Sequence, residues 1–130
     1  HTEMIDQGFH VNMSDAPAVD RDGEILEYSR LNDMTIQAWS PYQYGFFEGV
    51  FIGHVKFPEL NKTLHEMALK YDTTPTGIAS AWILRHPANM QVIAGTMNLK
   101  RIREISQAST IVLSRKDWYA IYLAAGNILP

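Results

Sequence analysis

Two short apolar runs, Met34–Trp39 and Met90–Ala94, each lead into a polar or glycine-bearing loop and then into residues of helical periodicity. That alternation most restricts the fold. Strands separated by helices pair in parallel, and helices then cover both faces of the sheet. The predicted order is helix, strand, loop, helix, helix, strand, helix, helix. Two strands alone do not make a stable sheet of this kind. The 130 residues therefore read as one α/β portion of a longer array, with the missing strands upstream of His1.

Local signals place the elements. Residues 1–22 lack a clear period and carry Asn12, Ser14, Asp15, Pro17, Asp20 and Asp22, so they read as a long loop over a larger body. Ile25, Leu26 and Leu31 give the first helix its apolar face, with Glu24 near its positive end. Pro41 ends the first strand, because it has no amide hydrogen for a ladder. Residues 43–57, rich in aromatics and glycine, read as a loop after that strand that serves as a substrate lid, a subunit contact or packing on a rim. Pro58 opens a helix whose stripe is Leu60, Leu64, Met67 and Tyr71. Thr74 and Pro75 start the next, with Ile78, Ala81 and Trp82 inward, and Arg85-His86-Pro87 stops it. After the second strand, Leu99, Ile102 and Ile105 are expected to face inward. Ser114-Arg115-Lys116-Asp117 is a capping box, and Gly126 closes the last helix behind Trp118, Ile121, Tyr122 and Ala125.

The loops after the two strands carry the chemistry. Gly95 allows close backbone approach, Thr96 and Asn98 add polar side chains, and free amides at a helix start attract anions. Arg101 and Arg103 supply charge, and a guanidinium can grip a phosphate with two parallel hydrogen bonds. The same Gly-Thr pair also suits an ordinary turn and helix cap. Trp39 sits where a strand ends, so it is either a core residue or a ring on which a planar group stacks. In (β/α)8 TIM barrels, phosphate sites are commonly built from the loops after the last two strands. These two loops fit that place.

Three motifs in order carry a family resemblance. Ala38-Trp39-Ser40-Pro41 resembles the aldo-keto reductase segment after strand seven. Val92-Ile93-Ala94-Gly95-Thr96-Met97-Asn98, continuing to Arg101 and Glu104, resembles its strand-eight cofactor segment. Between them, Lys70 to Pro75 with Ile78-Ala79 and Ala81 to Leu84 resembles the family's intervening helix pair. Asp20–Glu27 and Phe46-Phe47-Glu48-Gly49 resemble a bacterial oxidoreductase subgroup of that family.

The resemblance implies an NADP-dependent oxidoreductase that reduces aldehyde or ketone carbonyls. Trp39 would stack on the nicotinamide, and Ser40 and Tyr42 would contact the pyrophosphate side. Gly95, Thr96 and Asn98 would hold the adenosine phosphate region. Arg101 would meet the 2′-phosphate, favouring NADP(H), and Glu104 would lie near the adenine. Gly95 stands where many members carry lysine, and Ile105 where many carry asparagine. The family's aspartate, tyrosine, lysine and histidine tetrad comes from earlier strands. No residue here takes a catalytic role, Tyr28, Lys56 and His65 matching only by type, and this chain alone is expected to be inactive.

Composition narrows the alternatives. A net charge of -3 gives no footprint for nucleic acid. With no cysteine, thiolate chemistry and thiolate metal sites are excluded, and the histidines show no ligand cluster, so no metal is expected. No apolar run spans a bilayer, no signal peptide is visible, and a cytoplasmic location is expected. The rival to an enzyme portion is a non-catalytic barrel fragment that self-associates through its exposed surfaces.

Overall fold

The computed structural model describes residues 24–44 and 48–128. The long loop expected over residues 1–22, and the Gly45-Phe46-Phe47 part of the aromatic segment, lie outside them. Helices α1 (Glu24–Leu31), α2 (Pro58–Lys70), α3 (Pro75–Leu84), α4 (Leu99–Gln107) and α5 (Arg115–Ala124) are joined by four short strands. These are β1 (Ile36–Ala38), β2 (Gln43–Tyr44), β3 (Gly49–Val50) and β4 (Met90–Val92). A 3₁₀ turn, Ala108–Thr110, follows α4.

Parallel pairing is as expected from the strand–helix alternation. β1 and β4 pair with Ile36 opposite Met90 and Ala38 opposite Val92. The Ile93 amide donates to the Ala38 carbonyl at 3.1 Å, which carries the ladder past the assigned strand ends. Side chains reinforce the register: Gln37 meets Gln91 at 3.3 Å, and Asn89 donates to Thr35 at 3.1 Å. Both strands are shorter than their apolar runs, and only Ala38 among their residues is buried. Among the described residues the strands form two two-stranded sheets and close no barrel.

The segment read as a loop after the first strand contains the second sheet, an antiparallel pair of β2 and β3. Its aromatics make a small cluster: Tyr44 packs edge-on against Phe57 at 5.1 Å and tilts over His54 at 5.0 Å. Asn61 on α2 ties down the rest. Its side-chain amide nitrogen donates to the carbonyls of Phe51, His54 and Phe57, and its oxygen accepts from Gly53 at 2.6 Å. One helical side chain thus takes up the Gly53 amide and adds a bond to three carbonyls that already accept the backbone amides of His54, Phe57 and Asn61.

The core lies between α2, α3 and α5, with Leu60, Leu64, Ile78, Ile83, Leu113 and Ile121 all closed to solvent. The α2 stripe is as expected at Leu60 and Leu64, with Met67 and Tyr71 half-buried. Thr74 caps α3 by accepting from the Gly77 amide, and Ser114 caps α5 by accepting from the Asp117 amide. α3 is apolar on nearly all sides and buried from Gly77 to Ile83, as a helix enclosed by neighbours must be. Trp82 and Trp118 lock it to α5. Their rings stack at 4.5 Å with 8° between planes. Each indole N–H donates to the other residue's backbone carbonyl, at 3.0 and 2.9 Å.

Two apolar faces differ from expectation. Leu99 of α4 is 70% exposed, Ile102 is also exposed, and only Ile105 is half-buried. On α1, Ile25 and Leu31 are exposed and Leu26 is half-buried. Periodicity reports that a face is apolar, not that a described element lies over it.

Candidate functional site

Both polar loops leave the same end of the β1–β4 sheet, because the strands are parallel. The first turns sharply: Ser40 adopts a left-handed φ of +48°, and its carbonyl accepts from the Gln43 amide at 3.1 Å. A non-glycine residue at positive φ is costly and is held by its surroundings. Pro41, the next residue, is buried. The second loop turns at Gly95, φ +57°, where a side-chain carbon would meet only the Ile93 carbonyl, at 3.8 Å. The backbone there faces open space.

The two loops close on one cavity of about 210 Å³. Ser40, Pro41 and Tyr42 form one wall, and Gly95, Thr96 and Arg101 the other. Gln43 and Val50 from the hairpin, with Ala94 and Ile105, complete it. Of the residues singled out from sequence, Ser40, Tyr42, Gly95, Thr96 and Arg101 line this cavity. Trp39, Asn98 and Glu104 do not. Trp39 stands half-exposed at the end of β1, next to the cavity wall in sequence. Glu104 is half-buried on α4, which packs against α3.

Asn98 has a specific local task. Its side-chain oxygen accepts from the amides of Lys100 and Arg101, at 3.0 and 3.3 Å, and so caps α4. Thr96 in turn accepts from the Asn98 amide at 3.2 Å. These bonds use first-turn amides that an anion would otherwise meet. The turn-and-cap reading of the Gly-Thr loop is therefore realised, and it holds Arg101 at the cavity. Among the described residues, the Arg101 guanidinium has no ion-pair partner.

Tyr42 is positioned from behind. Its hydroxyl lies 2.6 Å from the Ser80 hydroxyl on α3, and Ser80 donates to the Thr76 carbonyl at 2.7 Å. With the Ser80 proton spent, Tyr42 is the donor, and its ring and oxygen lone pair are what remain for the cavity. Burial pushes the Tyr42 phenol above its ordinary value, against the opposing effect of the Ser80 bond. Ser80 was not singled out from sequence, since a serine inside an apolar helix carries no local sign of a partner 38 residues away. The lining residues Gln43, Val50 and Ile105 were likewise not assigned to the site, because the hairpin that brings two of them there has no strand alternation.

An open backbone at a glycine, two hydroxyl-bearing loops and an unpaired guanidinium fit a phosphate group chemically.

The loops, their order and their geometry define an α/β class with a cleft at the C-terminal ends of paired parallel strands. The chain belongs to the aldo/keto reductase family, whose model matches residues 10–123. It is 32% identical over 101 residues to a 6-dehydroglucose reductase of Agrobacterium fabrum, covering 77% of this chain and 32% of that protein. A second 6-dehydroglucose reductase, from Novosphingobium aromaticivorans, is 30% identical over 106 residues, covering 81% of this chain and 34% of the relative. The crystal structure of a thermostable aldo-keto reductase in complex with the inhibitor epalrestat superposes with a TM-score of 0.65 at 27% identity. That match covers 88% of this chain and 38% of the solved one. The chain thus spans about a third of the length of the curated relatives it matches. Among the described residues, no helix is long and apolar enough to cross a membrane.

Proposed function

We propose that this chain is the C-terminal portion of a (β/α)8-barrel, NADP-dependent reductase of aldehydes or ketones, and that it supplies the cofactor-binding loops. The observation that carries the reading is the convergence of Ser40, Tyr42, Gly95, Thr96 and Arg101 on one cavity at the C-terminal ends of two parallel strands. Barrel enzymes place their sites at that end. Arg101 would bind the 2′-phosphate, with Gly95 and Thr96 admitting the adenosine phosphate region. Ser40 and the Tyr42 ring would line the pyrophosphate side, and Trp39 would stack on the nicotinamide. Asn98 would act through the cap that sets the Arg101 position, and Glu104 would lie near the adenine. Bound there, reduced nicotinamide supplies hydride to a carbonyl carbon. No residue of this chain is assigned the proton transfer. The substrate class follows the family, and two relatives are named for reducing 6-dehydroglucose. Comparative titration of the protein with NADPH and NADH tests the reading. NADPH is expected to bind at least about tenfold tighter, the worth of one charge-assisted contact. Equal affinities would remove the 2′-phosphate assignment.

A second reading, not exclusive of the first, is self-association. Met97 and Leu99 are 92% and 70% exposed beside the short parallel sheet, whose two strands pair only with each other among the described residues. Open strand edges and apolar surface drive association. Sedimentation velocity of the 130-residue chain is expected to show dimers or larger species. A single monomer that unfolds cooperatively would contradict this.

A further inference from the structure

A larger cavity, about 370 Å³, lies at the other end of the β1–β4 sheet from the cofactor loops. It is formed where α3 ends, just before β4 begins, and where α5 starts. Its lining is Arg85, His86, Pro87, Arg115, Trp118 and Tyr119, with no carboxylate. The Arg85 Nε donates to the Leu113 carbonyl at 3.2 Å, which fixes the plane of that guanidinium and leaves its terminal nitrogens as donors. Arg115 lies 5.9 Å over the Tyr119 ring. Among the described residues neither guanidinium has an ion-pair partner.

Two charges of α1 act on His86 in opposite directions, and they are paired with each other: the Glu27 carboxylate meets Arg30 at 3.2 Å. Asp117, the one carboxylate of α5, is buried and held by Lys70, Tyr71 and Ser114. His86 accepts the Ala88 amide at Nδ1, so a neutral ring carries its hydrogen on Nε2 as a further donor. The Trp118 indole N–H is spent on the Trp82 carbonyl, so Trp118 offers only an apolar edge. Among the described residues, the cavity lining therefore pairs guanidinium and imidazole donors with aromatic walls and includes no carboxylate. That combination suits an oxyanion carried on a small planar apolar body.

We propose that this cavity is a second ligand site, separate from the cofactor loops, that binds a small aromatic phosphate or carboxylate between Arg85 and Arg115. The two sites stand at opposite ends of the same strands, so this proposal does not depend on the cofactor reading.

Calorimetric titration of the protein with phenyl phosphate and with phenylacetate tests it, with benzyl alcohol as the uncharged control. Saturable binding of at least one anion in the millimolar range or tighter is expected, with the two arms deciding between phosphate and carboxylate. Benzyl alcohol is expected to show none. Arg115 is solvent-exposed in the first turn of α5, so Arg115→Ala is expected to keep the fold and weaken the anion at least about tenfold, the loss of one charged contact. Arg85→Lys, which keeps charge without the paired donors, is expected to weaken it several-fold. Arg101→Ala is expected to leave it unchanged. Absence of saturation, equal binding of benzyl alcohol, or a loss in Arg101→Ala with none in Arg115→Ala would overturn the proposal.

Discussion

Arg101→Ala is expected to weaken NADPH binding about 10- to 100-fold while changing NADH binding less than about twofold. The range follows from losing a hydrogen-bonded charge contact, about 1.5–3 kcal/mol. Only the 2′-phosphate distinguishes the two dinucleotides, so a residue that moves one affinity without the other acts on that group, directly or by positioning one that does. Arg101 lines the cavity opposite Ser40 and Tyr42, is exposed, and is held by the Asn98 cap at the start of α4. Removing its side chain leaves the cap intact, because Asn98 bonds the Arg101 backbone amide rather than the guanidinium. A loss shared equally between NADPH and NADH would place Arg101 outside the 2′-phosphate contact. Fluorescence titration of the reduced nicotinamide provides the readout.

The second large effect is on stability. Asp117→Ala is expected to cost about 2–4 kcal/mol at neutral pH, because it strips partners from several groups at once. Lys70 Nζ lies 2.8 Å from both carboxylate oxygens, Tyr71 donates at 2.5 Å, and Ser114 donates at 2.6 Å. The Tyr71 hydroxyl also accepts from the Ser114 amide at 3.0 Å, so α2, the turn before α5, and α5 itself meet at one carboxylate. Burial pushes the Asp117 carboxyl up, but the bonds from Lys70, Ser114 and Tyr71 outweigh it and hold the group at about 2. An unfolded chain would protonate this group at about pH 4. Since the folded value is the lower one, the contribution is complete above about pH 4 and is lost as pH falls through about 2. Urea unfolding of the wild-type protein and Asp117→Ala should therefore show a gap that narrows toward pH 2. A gap independent of pH would mean that the carboxylate charge is not what stabilises the junction. Lys70 is half-exposed and both its bonds end on this single carboxylate, which keeps Tyr71 and Ser114, so Lys70→Met is expected to cost less than Asp117→Ala.

Local rules were enough for the elements whose cause is local. Thr74 and Ser114 cap helices where the residue type and spacing say they should, and the Leu60–Leu64 stripe is buried. The alternation of Met34–Trp39 and Met90–Ala94 with helices predicts the parallel pair, although the strands themselves are only three residues each. The β2–β3 hairpin was not legible: its strands are two residues long and sit in a run of glycine and aromatics without alternation. The contacts that fix the third dimension were hidden for another reason. Trp82 meets Trp118 across 36 residues, Lys70 meets Asp117 across 47, and Tyr42 meets Ser80 across 38. No periodicity encodes such partners.

The candidate site divides the same way. Gly95, Thr96 and Arg101 are adjacent in sequence and carry phosphate chemistry by type, so that loop could be read directly. Its union with Ser40 and Tyr42 needed the family order of motifs, since the two loops are more than 50 residues apart. Asn98 was assigned to the ligand, while its hydrogen bonds belong to the α4 cap. Side-chain type alone does not separate a residue that touches a ligand from one that positions its neighbour.

The central claim is that two loops, distant in sequence, make one nucleotide-phosphate site. Amide chemical-shift mapping of the protein with adenosine 2′,5′-bisphosphate tests it most directly. Shifts are expected together at Ser40–Gln43 and Gly95–Arg101. Shifts confined to one of the two loops, or none in either at saturating ligand, would contradict it.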